Sequence, residues 1–357
     1  MAEAVVMAVP VGEATGWEAY RRDAQRYFRW SLGLTSAITA VWLYLVVTGR
    51  DGGAIFKGYE ITREAVIGVV VGFLVMSVLW GWLWYGIKAL LLRRVAGFSK
   101  EEVKAVFRSR MNEPFDLQAI LARHPERRVR IADMVGRRGR FLTLGMMGFN
   151  YVYWQVHQSP TPDFLFRGLQ QGLLDALAYS WWMLALFYSE GFVGRMAYGA
   201  QTRIMDGTLG RANCLVITML WSVFKFLMVP IGFQIARYYP PSTYAVVFAL
   251  VWVTYLFSDG ASEIVGSLFG KQKLKVWGIG EVNKKSIAGT WACFLTSLAI
   301  GGWLVLANGL PPAWFGLVAA IAVSNTLFEL FSPRGTDDFT MATANALVCL
   351  AFGATFY

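Results

Sequence analysis

Nine apolar stretches punctuate the chain, near 30–49, 65–91, 141–157, 170–190, 212–233, 242–257, 287–307, 312–331 and 339–356. A helix needs about 20 predominantly apolar residues to cross a bilayer. Each stretch is therefore read as a span, and the fold class as an all-α, polytopic integral membrane bundle of about nine helices. The stretch 141–157 is the weakest, because Asn150, Gln155 and His157 interrupt its second half. Residues 1–29 mix Trp17, Tyr20, Tyr27 and Phe28 with Arg21, Arg22, Arg26 and Arg29, the pattern of an interfacial amphipathic helix.

The longest polar stretch is 92–140. Ser99 followed by Glu102 forms a capping box and predicts a helix from Lys100 that stops at Pro114. A second helix is predicted from Asp116 to Arg123, before Pro125. The strongly basic run Glu126 to Arg140 reads as a connector hugging anionic lipid. This divides the chain into an N-terminal addition, 1–140, and a seven-span core, 141–357.

Charge sets the orientation. With the N-terminus inside, the inner loops 1–29, 92–140, 191–211, 258–286 and 332–338 hold 26 of the 33 Lys and Arg, and the outer loops hold five. Basic residues concentrate on the cytoplasmic side, so the N-terminus is expected inside and the C-terminus on the opposite side.

Composition changes this picture little. A chain of 357 residues that is 56% hydrophobic and 16% charged suits a membrane protein and excludes disorder. Its mean hydropathy is +0.45. The net charge of +10 fits basic loops facing anionic lipid. No helix-turn-helix or zinc spacing points to nucleic acid. Cys214, Cys293 and Cys349 lie inside apolar runs and read as packing residues.

Candidate chemistry collects in Ser258 to Thr290. Asp259 and Glu263 are four residues apart, so on a helix they share one face. Gly266, Gly270, Gly278 and Gly280 follow, with Lys271, Lys273, Lys275, Lys284 and Lys285. Carboxylates that hold a divalent cation, small residues that let backbone approach phosphate, and ammonium groups are the parts of a phosphoryl-transfer site. Gly266-x-x-x-Gly270-Lys271 is not a Walker A loop, since it is one residue short and Gln272 replaces Ser/Thr. Its competing reading is a small-x-x-x-small helix contact. Asn283 or Ser286 would cap the next helix and present an anion-binding end. Asp337 and Asp338 are adjacent carboxylates before the last span, and Glu329 lies deeper, four residues after Asn325. Asp175, Glu190, Arg195 and Arg203 could complete a nucleotide pocket or form an interhelical ion pair.

The run D-x-x-A/S-x-x-x-G-x-x-x-G followed by K-S-x-x-G-T resembles the polyprenol kinase family, which includes dolichol kinase, phytol kinase and the CTP-dependent diacylglycerol kinase. The matching residues are Asp259, Ser262, Gly266, Gly270, Lys285, Ser286, Gly289 and Thr290. A second block, Glu329 to Phe339, resembles the family's later E-x-x-S-x-x-G-x-D-[DN] segment. Ala288 stands where family members often carry Glu, and the early R-K-x-x-H segment of phytol kinases is absent. The resemblance implies a CTP-dependent lipid kinase that phosphorylates an isoprenoid alcohol or diacylglycerol. It implies Mg²⁺ on Asp259, Asp337 and Asp338, and catalytic roles for Asp259, Glu263, Lys285 and Asp338. Gly266, Gly270, Lys271, Ser286, Gly289 and Thr290 would contact nucleotide phosphate, with Glu329 and Ser262 as further candidates. Two other readings stand beside it. One is a CDP-lipid-forming cytidylyltransferase, from distantly similar phosphatidate cytidylyltransferases. The other is an ion-coupled transporter.

Overall fold

The computed structural model describes residues 80–108, 117–139, 234–276, 283–332 and 337–357, with isolated positions between 29 and 48 and at 142, 181, 204, 231 and 232. Half of the expected span 30–49, most of 65–91 and 212–233, and all but one residue each of 141–157 and 170–190 lie outside the described residues, as do Cys214, Asp175, Glu190, Arg195 and Arg203.

Four described helices are long and apolar enough to cross a membrane. They are α5 (Tyr244–Leu268), α6 (Ile287–Ala307), α7 (Ala313–Phe331) and α8 (Asp337–Phe356). Helix α5 is the central one: 78% of its apolar window is buried, against 28% for α6. The core joins Val247, Leu250 and Val251 of α5 to Leu304, Leu317, Ile321 and Cys349 of the other three. Helices α6 and α7 pass closely at Gly301, where an added Cβ would lie 2.6 Å from Val318 Cγ1. The outer face of α6 exposes Trp291, Leu295, Trp303 and Leu306, as expected of side chains that face lipid tails rather than water.

Local sequence ends these helices. Gly309 takes φ +59° just past α6, and the Leu310 N–H donates back to the Val305 carbonyl. Pro311 and Pro312 then open α7, where a missing N–H costs nothing. At the other end of the chain's order, α1 (Trp80–Arg94) stops before Gly97, which has φ +81°.

The described residues of the polar stretch after α1 are mostly helical and carry their own core. Helices α2 (Lys100–Arg108), α3 (Leu117–Leu121) and α4 (126–139) bury Phe98, Val103, Phe107, Ile120, Val129 and Ala132 together with Leu92. The predicted capping box is present: Ser99 N–H donates to Glu102 Oε2 at 2.8 Å, and Glu102 N–H to Ser99 Oγ at 3.1 Å. The second predicted helix is shorter than Asp116–Arg123, and α4 is more than a surface-hugging connector. Its burial follows from Val129, Ala132, Asp133 and Gly136, spaced three and four apart on one face.

Two features differ from the expected layout. The expected span 242–257 runs on to Leu268, so Asp259 and Glu263 belong to the last turns of a helix rather than to a loop. The described residues are mostly helical, as expected, with one short hairpin that was not expected. A hairpin pairs β1 (Lys273–Val276) antiparallel with β2 (Asn283–Ser286), with Lys273 opposite Ser286 and Val276 opposite Asn283. Lys273-Leu274-Lys275-Val276 alternates polar and apolar with period two, and Val276 is buried.

Candidate functional site

Charged side chains gather at one end of α5–α8. Asp259 and Glu263 project from one face of α5, one turn apart. Both are engaged by α4. Arg138 Nη1 lies 2.5 Å from Asp259 Oδ2, and Arg138 Nε and Arg137 Nη2 both donate to Glu263 Oε2. Arg138 and Asp259 are almost wholly buried. Removing one partner of such a buried pair costs about 3–5 kcal/mol, because the other charge is stranded.

A second group flanks the first. Lys285, in β2, lies 2.8 Å from Glu329 Oε1 and 3.9 Å from Asp337 Oδ2. Ser262 Oγ donates to the same Glu329 oxygen at 2.8 Å. Glu329 Oε2 meets no hydrogen-bond partner among the described residues. Burial opposes the charge on Lys285, but Asp337, Glu329 and Asp259 outweigh it and hold the ammonium above its ordinary range. Asp259 interacts electrostatically with Arg138, Asp337, Glu263 and Lys285, so the two groups form one cluster.

The small residues have a different setting. Cβ atoms added at Gly266 and Gly270 would come within 2.7 and 2.5 Å of Ser286 Oγ. One added at Gly289 would lie 2.8 Å from the Ser262 carbonyl oxygen. These glycines bring the end of α5 against β2 and the start of α6, as in a small-x-x-x-small contact. Ser286 caps α6, with its Oγ accepting from Gly289 N–H at 3.1 Å. The Ile287 N–H donates to the Gln272 carbonyl and Thr290 Oγ1 to the Ser286 carbonyl. The first-turn amides of Ile287 and Gly289 are therefore already used. Lys271 is exposed in the turn before β1, and Lys273 reaches the Gly266 carbonyl at 3.3 Å. Burial and the like charge of Arg130 push the Lys273 ammonium below its ordinary range.

Asp338 follows Asp337 on the first turn of α8, but its side chain lies outside the described residues, as do those of Asn283 and Lys284 and all of Gly278, Gly280 and Arg334. Among the described residues, no three His, Cys, Asp or Glu side chains stand together as a ready metal-ligand set. A Mg²⁺ ion needs only one or two carboxylates when substrate phosphate and water complete its shell. Asp259 and Glu263 fit that requirement by charge and spacing, although Arg138 engages both.

Deeper in the bundle lies a neutral polar layer. Asn325 Nδ2 donates to Ser297 Oγ at 3.0 Å, and Asn325 and Asn345 both reach Thr254 Oγ1 at 3.4 Å. Neither Asn Oδ1 has a partner among the described residues. The sequence flagged only Asn325, through its spacing to Glu329. The arginines of α4 were legible as basic residues but not as partners of Asp259 and Glu263, which are more than 120 positions away. Compared with protein-family models, curated proteins and solved structures, the chain matches none.

Proposed function

We propose that the protein is a membrane lipid-alcohol kinase. It transfers the terminal phosphoryl group of a nucleotide, CTP by the motif resemblance, to an isoprenoid alcohol or diacylglycerol. The observation that carries this reading is the single cluster of Asp259, Glu263, Glu329, Asp337, Arg138 and Lys285 at one end of an apolar helix bundle. Headgroups lie at the ends of membrane-crossing helices, so a lipid hydroxyl would meet these charges while its tail lay along the exposed apolar face of α6.

In the proposed reaction the lipid hydroxyl oxygen attacks the terminal phosphorus. The bond from that phosphorus to the bridging oxygen breaks, and the nucleoside diphosphate leaves. Glu263 accepts the hydroxyl proton once it is free of arginine. Lys285 neutralises charge on the phosphoryl oxygens, which is most of the work in a loose transition state. Glu329 and Ser262 orient Lys285. A divalent cation held by Asp259, with Asp337 nearby, would supply further charge stabilisation. The glycines set the helix contact that brings Ser286 and Lys285 beside α5.

The transporter reading requires acids along a path across the membrane midplane. The described acids of the bundle instead sit at one end, and the polar layer beyond them is neutral, which favours the enzyme. In the proposed orientation this end faces the cytoplasm, where nucleotide is available. Purified protein incubated with a lipid panel tests the reading. Label on the γ-phosphate of CTP should enter a lipid alcohol. Entry of α-phosphate label instead would mean a cytidylyltransferase, and entry of neither would end both readings.

A further inference from the structure

Helix α4 is fixed to α1 before it reaches α5. Lys88, fully buried on α1, lies 2.7 Å from Asp133 Oδ1, and Asp133 Oδ2 accepts the Ile204 N–H at 2.8 Å. Gly136 lies against the Lys88 stem and Gly139 against the Trp84 ring, each so near that an added Cβ would collide. The last turn of α4 therefore projects Arg137 and Arg138 from a fixed base. Arg138 reaches Asp259 through Nη1 and Glu263 through Nε, and Arg137 adds a second donor to Glu263. One guanidinium thus spans both carboxylates, using Asp259 Oδ2 and Glu263 Oε2.

Those are oxygens a hard divalent cation would also use. A guanidinium and a divalent cation repel each other and cannot share them. We propose that the Asp259–Glu263 pair has two mutually exclusive occupants, Arg138 of α4 and a divalent cation, so that cation loading releases Arg138 and loosens α4 from α5. This rests on reading the acid pair as a cation site in the proposed kinase. It makes α4 a regulator of that site: whatever holds α4 docked weakens cation binding, and cation weakens docking by the same factor. Release also leaves two guanidinium groups beside the phosphate.

The test uses the full chain in nanodiscs and needs no lipid phosphorylation. Spin labels at Val135 on α4 and Lys271 beyond α5, both exposed, report their separation. Adding Mg²⁺ should lengthen or broaden the distance distribution, and K⁺ at equal ionic strength should not. Mn²⁺ binding, read by its own spectrum, should tighten by about tenfold in Arg138→Gln, within the usual range of site coupling. Arg138→Lys, which keeps the charge, should fall between Gln and the parent and guards against misfolding of the Gln variant. Unchanged distances, with Mn²⁺ binding equally to parent and Arg138→Gln but lost in Asp259→Asn, would overturn the exchange while leaving a cation site. No Mn²⁺ binding to any of the folded proteins would overturn both the exchange and the cation reading beneath it.

Discussion

The two ends of the α5–α8 bundle are built from the same helices and opposite chemistry. At one end Tyr239, Trp314, Phe352 and Tyr357 stack with ring centroids 5.4–5.9 Å apart. Their polar tips are satisfied: Tyr239 Oη donates to the Cys349 carbonyl at 2.6 Å, and Trp314 Nε1 to Tyr357 Oη at 3.1 Å. Apolar bodies with paired polar tips suit a membrane–water boundary and stabilise through burial. At the other end Arg138, Lys285, Asp259, Glu263 and Glu329 are also largely buried, but their desolvation cost offsets much of their mutual attraction. One end is arranged for packing. The other concentrates charge that packing alone does not require, and this contrast supports chemistry at the charged end.

The contrast breaks if both ends respond alike to substitution. Trp314→Ala should destabilise by about 3–5 kcal/mol, the usual cost of emptying a buried aromatic site. The folded fraction should keep its turnover, as seen by pairing thermal melts with lipid-labelling rates. Lys285→Met should lower turnover about a hundredfold, or ~2.7 kcal/mol of transition-state stabilisation, well beyond the share lost to unfolding, although it also destabilises by stranding the buried Glu329 carboxylate. The pH dependence follows from its raised value. Its ion-pair contribution is fully present below the unfolded lysine pKa and is lost only as pH rises through the higher folded value. Stability and rate should therefore show no basic limb from this group until above the ordinary lysine range, and Lys285→Met should lack that limb.

Smaller effects sharpen the comparison. Gly289→Ala forces a methyl against the Ser262 carbonyl and should cost about 1–3 kcal/mol by overpacking. If Gly289 mainly met phosphate, turnover would fall with stability unchanged. Ser99→Ala, in the capping box far from both ends, should cost about 1 kcal/mol at neutral pH. Glu102 there is partly buried, which favours its neutral form, but the Ser99 amide and His124 hold its carboxyl below the ordinary range. Its contribution is present above the unfolded pKa and is lost as pH falls through the lower folded value. The stability difference between the parent and Glu102→Gln, measured by denaturant melts, should therefore shrink in acid.

Much of this was legible in the sequence. Length and hydropathy located α6, α7 and α8 to within a few residues, since apolar spans between Pro pairs and glycine caps leave little choice. The same signal stopped α5 too early, because it treats Asp259 as an end. Helix α5 accommodates both carboxylates because Arg138 of α4 pairs with Asp259 and with Glu263. The hairpin was hidden because four-residue strands fall below the length at which alternation outweighs a loop of lysines. Asp259, Glu263, Lys285 and Glu329 were singled out as candidates from residue type and order, and they lie in one charged cluster. Arg137 and Arg138 were missed as site residues because pairing across 125 positions leaves no local pattern. The glycines were read toward phosphate because Asp259 and the lysines stand beside them in the sequence, and nothing in that order shows how closely Ser286 approaches them.

The central claim is that the charged end does chemistry. Its most direct test is the rate of γ-phosphate transfer from CTP to a lipid alcohol by Asp259→Asn, measured beside the parent with a melting curve on each preparation. Asparagine keeps the shape and removes the charge. The account predicts a fall of about a thousandfold or more, ~4 kcal/mol, in protein that still melts cooperatively. A folded Asp259→Asn protein that transfers label at the parent's rate would contradict it.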